Sequence, residues 1–156
     1  MPESNVVITP DALLDHWQGH RRLTRRLIEA FPEKELFAYS IGGMRTFAQL
    51  ATELVGMAVP IARGVATGSW TGDKVNPKSK AEILKLWDES TTELDRVWKT
   101  IPLKAFQEEH VAFGQWKGTG IWQILYAIDN EIHHRGQGYV YLRSLGIEPP
   151  HFYDRS

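Results

Sequence analysis

Apolar side chains recur at steps of three and four residues in four separate stretches of the chain, and this is the period of an amphipathic helix. The first stretch opens with Thr9 and Pro10, a capping residue followed by the residue best tolerated in a first helical turn. The last stretch opens with Thr119 and stops at Gly146, ahead of two prolines that prevent its continuation. The pattern predicts helices near residues 10–31, 44–66, 79–101 and 119–145.

Glycine and proline mark the connections between these helices. The segment from Pro32 to Gly43 is expected to be a loop. The segment from Gly64 to Pro77 is expected to be a second loop, which Trp70 anchors to the body of the protein. At the start of the third helix, Ser79 and Glu82 have the spacing of a capping box.

Residues 103–118 follow no clear period. A short extended segment is expected around residues 111–113, but no strand is assigned. A chain of 156 residues is long enough to bury one core of its own. The prediction is a single all-α domain spanning residues 1–156, a four-helix bundle with one long loop between the second and third helices and no large sheet.

The last helix carries two stripes when its residues are placed at 100° steps. The second stripe contains Asn130 and His134 between the small residues Ala127 and Gly138, and because small residues leave room beside a helix it predicts a pocket. One or two of the six Trp residues could line that pocket, but the sequence does not say which. The first stripe lies roughly opposite and predicts the core face, with Ile121, Ile124, Leu125, Ile128, Ile132, Tyr139 and Leu142.

Several polar residues are open to two interpretations. The Asn and His pair of the last helix could simply be solvated, and His133 is expected to be exposed. Glu53 in the second helix either faces the bundle interior, where an unpaired charge would be costly, or lies on a solvated face. His16 and His20 form another i, i+4 pair, but the arginines around them, Arg21 among them, predict a solvent-facing surface.

Composition removes several classes of function. The chain contains no Cys, which excludes a disulfide framework, a Cys-ligated zinc site and a thiol nucleophile. Its formal net charge of -1 gives no overall basic field, so nucleic-acid binding is not expected. Charged residues interrupt the apolar stretches, so no membrane helix is expected. The first five residues lack the positive start of a secretory signal, and we expect a cytoplasmic protein.

Two segments resemble the signatures of a known family. One runs Asp129-Asn-Glu-Ile-His-His-Arg-Gly-Gln137 and continues through Tyr141-Leu-Arg143 and Leu145-Gly-Ile-Glu-Pro-Pro150. The other is Met44-Arg-Thr-Phe-Ala-Gln-Leu50, which leads into Glu53. With the four-helix layout, they resemble the DinB-like superfamily over nearly the whole chain, and the His-Arg-Gly-Gln core is the most specific part. The resemblance implies a four-helix bundle that is often dimeric.

The resemblance also implies a divalent metal such as nickel or zinc, held by one His of the second helix and two His, four apart, of the last helix. Some relatives use this metal to activate a low-molecular-weight thiol, as in bacillithiol transferases and mycothiol-dependent maleylpyruvate isomerase. The corresponding positions here are Glu53, Asn130 and His134, and only His134 keeps the usual ligand type. Replacing two imidazoles by a carboxylate and an amide shifts the preference towards manganese, magnesium or a weakly held zinc.

Two hypotheses follow. In the first, Glu53, Asn130 and His134 bind a divalent metal (Zn, Ni or Mn), which acts as a Lewis acid in hydrolysis or thiol transfer on a small molecule. In the second, the protein is a metal-free binding or stress-linked interaction protein with a small-molecule pocket, and Glu53 accepts a hydrogen bond from His134. Both require the three side chains to converge. In either case we expect a homodimer, since C2 dimers are the commonest oligomers.

Overall fold

Four long helices, one short helix and a β-hairpin make up residues 6–156, the part of the chain that the structure, a computed structural model, describes. The expectation that no secretory signal opens the chain concerns residues 1–5, which lie outside this range. A 3-10 turn at Leu103–Phe106 precedes the hairpin. The elements in chain order are α1 (Pro10–Ala30), α2 (Glu33–Ala38), α3 (Phe47–Thr67), α4 (Lys80–Trp98), β1 (Glu109–Ala112), β2 (Trp116–Thr119) and α5 (Gly120–Ser144).

The four long helices lie within a few residues of the predicted ones, which confirms a mostly helical bundle. Thr9 caps α1 by accepting a hydrogen bond from the backbone N–H of Ala12, and Thr119 caps α5 in the same way. The complete capping box lies at the start of α3, between Thr46 and Gln49. The one predicted for α4 is only half formed, because the Glu82 side chain accepts from Lys78 instead.

Two short elements differ from the expectation. The segment predicted as the loop from Pro32 to Gly43 contains α2, which Leu36 fixes to the core with a fully buried side chain. The short extended segment expected around residues 111–113 overlaps β1, and it belongs to an antiparallel hairpin of β1 and β2 that was not predicted, in which Ala112 pairs with Trp116. Elements of four to six residues are too short to show a hydrophobic period, so the sequence pattern does not reveal them.

The central helix of the bundle is α3, which packs against both α4 and α5. Among the described residues it is the one helix that meets the length and hydropathy of a membrane span, so charged residues do not interrupt it as expected. Most of that span is buried inside the bundle. One end of the core is built around stacked Phe31 and Phe47, whose ring centroids lie 4.8 Å apart.

The buried face of α5 differs from the predicted apolar stripe. Ile124, Ile128 and Leu142 are buried as expected, but Leu125 and Ile132 are exposed. Residues of the opposite stripe, His134 and Gly138 among them, are buried as well. The sequence pattern therefore placed the buried face of α5 at the wrong angle around the helix. Its buried polar residues pair with polar groups of other elements, so they contribute no hydrophobic signal.

A buried polar cluster, formed by His20, Arg21, Thr24, Glu131 and Arg135, joins α1 to α5. The prediction of a solvent-facing surface around His20 is wrong, because His20 is 2% and Arg21 only 1% exposed. Thr24 Oγ1 donates to Glu131 Oε1 over 2.6 Å. Arg135 donates to the backbone oxygen of His20 over 3.1 Å and to its Nδ1 over 2.9 Å. Arg21 donates to Ser90 Oγ of α4 over 2.6 Å.

The state of His20 follows from these contacts. Because Arg135 donates to Nδ1, the ring proton lies on Nε2, which faces His16 Nε2 at 3.2 Å. Burial, Arg135, Arg155 and His16 together lower the pKa of His20 to about 3. His20 is therefore a neutral hydrogen-bonding residue, and neither ring nitrogen can bind a metal, because Nε2 carries the proton and the Nδ1 lone pair accepts from Arg135.

Candidate functional site

Glu53, Asn130 and His134 meet where α3 faces α5. His134 Nε2 lies 3.1 Å from Glu53 Oε1, and Asn130 Nδ2 donates to the same oxygen over 3.3 Å. Glu53 is 31% exposed and His134 only 8%, so the cluster sits at the edge of the bundle rather than in its centre. The contact between Glu53 and His134 is the one that the metal-free hypothesis requires.

Two further residues complete this group, and sequence analysis did not assign them a role. Arg45 Nη1 donates to Glu53 Oε2, and the backbone of Arg45 is held by Tyr141, whose hydroxyl donates to its carbonyl over 2.7 Å. Gln137 Oε1 lies 2.9 Å from His134 Nδ1. Both residues belong to the segments that carry the family resemblance, and this was the available signal. Together we call Arg45, Glu53, Asn130, His134 and Gln137 the Glu53 cluster.

The Glu53 cluster stabilises a carboxylate anion. Partial burial raises the pKa of Glu53, but hydrogen bonds from Arg45, His134 and Asn130 outweigh that effect and bring it below its ordinary value. Glu53 is therefore ionised at neutral pH. Its negative charge faces the positive charge of Arg45, and this ion pair is half exposed to solvent.

The arrangement does not fit the metal site that the family resemblance implies. Both oxygens of Glu53 already accept hydrogen bonds, one of them from the Arg45 cation. Asn130 presents its NH₂ group, not its oxygen, because it faces a carboxylate acceptor. Both ring nitrogens of His134 have partners. Within residues 6–156, no three His, Cys, Asp or Glu side chains are grouped closely enough to hold a metal ion.

A pocket of about 260 Å³ opens beside Glu53, between α3, the hairpin and the first turns of α5. Its position corrects the prediction that Gly138 leaves the empty space. A Cβ at Gly138 would lie 2.6 Å from the Phe47 ring and 2.8 Å from Leu27, so that face is filled. The pocket lining comprises Glu53, Met57, Ile61, Ala112, Phe113, Trp116, Trp122, Gln123 and Tyr126. We call it the aromatic pocket.

The hairpin places Phe113 in the pocket at a cost in backbone energy. Phe113 has a φ of 52° and Gly114 a φ of 71°, a pair of left-handed residues that glycine and asparagine normally supply. The Phe113 ring packs edge-on against Trp70, with centroids 5.7 Å apart. Trp70 in turn lies flat on Gly64, where a Cβ would come within 2.3 Å of the indole. Trp70 thus anchors the long loop, as predicted, and also supports Phe113.

The first turns of α5 supply the opposite aromatic wall. Trp122 lies against Gly118 of β2, where a Cβ would approach the indole to 2.5 Å. Tyr126, one turn further along, stacks on Trp122 with centroids 5.9 Å apart. Trp116, Trp122 and Tyr126 are all about half exposed, so part of each ring is accessible from the pocket side of the protein. The sequence could not single out these residues, because the pocket forms only when the hairpin folds onto α5.

Comparisons with solved structures give the same fold. A DinB-like protein from Bacillus subtilis matches with a TM-score of 0.74 and 18% identity, covering 90% of this chain and 96% of its own. A DinB-like protein from Bacillus cereus matches with a TM-score of 0.76 and 19% identity, covering 92% and 97%. A variant of mycothiol-dependent maleylpyruvate isomerase matches with a TM-score of 0.67 and 14% identity, covering 83% of this chain and 60% of that one.

These identities are low, so the solved structures establish the architecture alone. No curated protein sequence matches the chain. The sequence profile of the DinB family, in contrast, matches residues 1–156. Because that match covers the whole chain, the protein belongs to the DinB family.

Proposed function

We propose that this protein binds a small molecule in the aromatic pocket without using a metal, with Glu53 as the polar anchor of the site. The observation that carries the proposal is the internal pairing of Glu53, which has Arg45 on one oxygen and both Asn130 and His134 on the other. A carboxylate paired in this way is a preorganised hydrogen-bond acceptor. It would have to lose several partners before it could coordinate a metal ion.

The dimensions of the pocket support a small ligand. A volume of about 260 Å³ lies just below the usual range of ligand sites, and the lining is apolar apart from Glu53 and Gln123. The Gln123 amide nitrogen is already used within the protein, because it donates to the backbone oxygen of Trp116 over 2.9 Å. Glu53, the one charged residue of the lining, is the group that we propose orients a bound molecule.

The competing proposal is a metal-dependent hydrolase or thiol transferase, in which Glu53, Asn130 and His134 hold Zn, Ni or Mn. Membership of the DinB family and the similarity in fold to a mycothiol-dependent isomerase favour it. The convergence of the three side chains at one point is compatible with it as well. The two proposals differ in whether the protein retains a metal.

Total metal analysis separates them. The untagged protein is analysed as purified and again after incubation with excess Zn²⁺, Ni²⁺ or Mn²⁺ followed by desalting. We expect metal far below one ion per chain in both samples. Near-stoichiometric metal that disappears in His134→Ala but persists in His133→Ala, its exposed neighbour on the same helix, would overturn the metal-free proposal.

Ligand binding can be followed at a single methyl group in the pocket, that of Met57. The chain has three Met, and Met57 lines the pocket whereas Met44 lies outside it, against Gln137. With ¹³C-labelled methionine methyl groups, titration with benzyl alcohol and other small aromatic compounds should move the Met57 signal to saturation and leave Met44 almost unchanged. A Met57 signal that responds to none of these compounds would contradict a small-molecule site.

The homodimer, the cytoplasmic location, the absence of nucleic-acid and membrane partners and a link to stress remain predictions. The exposed apolar side chains of α5, Leu125, Ile132 and Val140, would suit a contact with a second copy. Sedimentation at micromolar concentration should give about twice the chain mass of 17.8 kDa. A mass near that of one chain would refute the dimer.

A further inference from the structure

The aromatic pocket is electrostatically one-sided. Among its lining residues, Glu53 is the one charged side chain at neutral pH, and no Lys or Arg lines the cavity. Four aromatic rings, those of Phe113, Trp116, Trp122 and Tyr126, form much of the remaining wall. The face of an aromatic ring carries negative electrostatic potential. The one ionised side chain of the lining is therefore negative, and the rings beside it can add a cation–π attraction, so the pocket favours cations over anions.

The lining also limits the kind of cation. A primary ammonium or a guanidinium group needs several hydrogen-bond acceptors when it leaves water. Here the side-chain acceptors are few, because Glu53 already accepts hydrogen bonds from Arg45, Asn130 and His134, and the other carbonyl-type oxygen in the lining is that of Gln123. An alkylated ammonium has few or no N–H groups, and it gains from contact with aromatic faces instead. The pocket therefore suits tertiary and quaternary ammonium groups better than amines with many N–H donors.

Arg45 does not block such a ligand. Its ion pair with Glu53 is half exposed, and exposed pairs contribute little to stability. Arg45 is not among the residues that line the pocket, so its charge approaches Glu53 from outside. A cation in the pocket can share the carboxylate with Arg45 or displace its side chain into solvent.

We infer that the ligand of the aromatic pocket carries an alkylated ammonium cation, held against the rings of Phe113, Trp116, Trp122 and Tyr126 and next to the Glu53 carboxylate. The inference rests on the proposed function and specifies the chemical class of its ligand. It requires no bond to be made or broken.

Choline and its uncharged carbon isostere, 3,3-dimethyl-1-butanol, test the inference because they have nearly the same shape. Each compound is titrated into the full-length protein, and binding is measured by calorimetry and by the Met57 methyl signal. The cation–π contribution predicts that choline binds about tenfold more tightly than the alcohol. Acetate serves as an anion of similar simplicity, and it should not move the Met57 signal.

Variants locate the site of binding. Trp122→Leu should weaken choline binding about fivefold and affect the uncharged alcohol much less, because the lost ring contributes chiefly to cation binding. Tyr153→Leu, which removes an exposed aromatic ring outside the pocket, is the matched control and should bind choline like the wild type. Glu53→Gln should also weaken choline binding, and Glu89→Gln, an exposed carboxylate elsewhere, should not.

The outcomes separate the inference from the proposed function. Equal affinity for choline and 3,3-dimethyl-1-butanol would overturn the ammonium inference and leave a pocket for uncharged molecules. Choline binding that survives both Trp122→Leu and Glu53→Gln would place the cation elsewhere and overturn the inference as well. A Met57 signal that responds to no compound, charged or uncharged, would overturn both the inference and the proposed function.

Discussion

The Glu53 cluster and the buried polar cluster contain similar residues, but the first faces a pocket and the second joins two helices. The Glu53 cluster and the buried polar cluster each combine a carboxylate, an arginine and a histidine, and both include residues of α5. Glu53 is 31% exposed and opens onto the aromatic pocket, whereas Glu131 is 2% exposed. Hydrogen bonds lower the pKa of Glu53, whereas burial raises that of Glu131.

Burial and the position of the hydrogen-bond partners decide which of the two clusters can act as a ligand-binding site. In the buried polar cluster, Thr24 of α1 donates to Glu131 of α5, and Arg135 of α5 donates to the backbone of His20 in α1. These hydrogen bonds join the two helices to each other. In the Glu53 cluster, the charge is stabilised at an edge that a ligand can reach. Residue type alone would assign the two groups the same role, and only their surroundings distinguish a binding site from a structural contact.

The largest expected effect comes from removing the buried carboxylate. Glu131→Ala removes the carboxyl group that acts most strongly on the buried Arg21 and Arg135 and that accepts from Thr24, and we expect the free energy of unfolding to fall by about 3–5 kcal/mol. Glu53→Gln, at the half-exposed site, should cost less than about 1 kcal/mol. Urea unfolding followed by tryptophan fluorescence measures both. Similar losses in the two variants would show that the clusters do not differ as described.

The next effect tests how tightly α5 is packed on its two sides. A Cβ at Gly138 would collide with Phe47 and Leu27, so Gly138→Ala should cost about 1–3 kcal/mol. Gly136, two residues earlier, has open space around the same position, and Gly136→Ala should stabilise the helix by about 0.5–1 kcal/mol. Thermal unfolding of the two variants should shift in opposite directions. Shifts of the same sign would contradict the orientation of α5.

A third effect concerns pH and the buried polar cluster. An unfolded chain protonates His20 near pH 6.5, whereas the folded protein keeps it neutral down to about pH 3. Stability is therefore unaffected above pH 6.5 and falls as the pH drops below that value, by up to about 2 kcal/mol at pH 5.

His20→Leu should remove this part of the pH dependence, although it lowers stability at pH 7 because it deprives Arg135 of a partner. His133→Gln, an exposed histidine on α5, is the control and should keep the wild-type slope. Equilibrium unfolding at pH 7, 6 and 5 measures the three slopes. A wild-type protein whose stability is flat over this range would contradict the buried, neutral state of His20.

Much of the fold follows from local sequence signals, because long helices display their period and their caps. Thr9 and Thr119 mark two helix starts that the structure confirms. The hairpin and α2 could not be predicted in this way, since four to six residues carry too little pattern. Burial of His20 and Arg21 was missed for a different reason: polar side chains that pair across helices look the same in sequence as solvated ones.

The candidate site was predictable only in part. The resemblance gave Glu53, Asn130 and His134, and the structure brings these residues together. The ion pair with Arg45 was not predictable, because it depends on Tyr141 holding the Arg45 backbone from a position far along the chain. The aromatic pocket depends in turn on the left-handed turn at Phe113, which a sequence pattern would assign to glycine or asparagine.

His134 and Arg135 are neighbours in sequence, and successive side chains of a helix point about 100° apart. His134 contacts α3 through Glu53, and Arg135 contacts α1 through the backbone of His20. Because these two contacts point in different directions, together they fix the rotation of α5 about its own axis. A rotation that released His134 would also pull Arg135 away from α1, so we expect α5 to keep its orientation when a ligand enters the aromatic pocket.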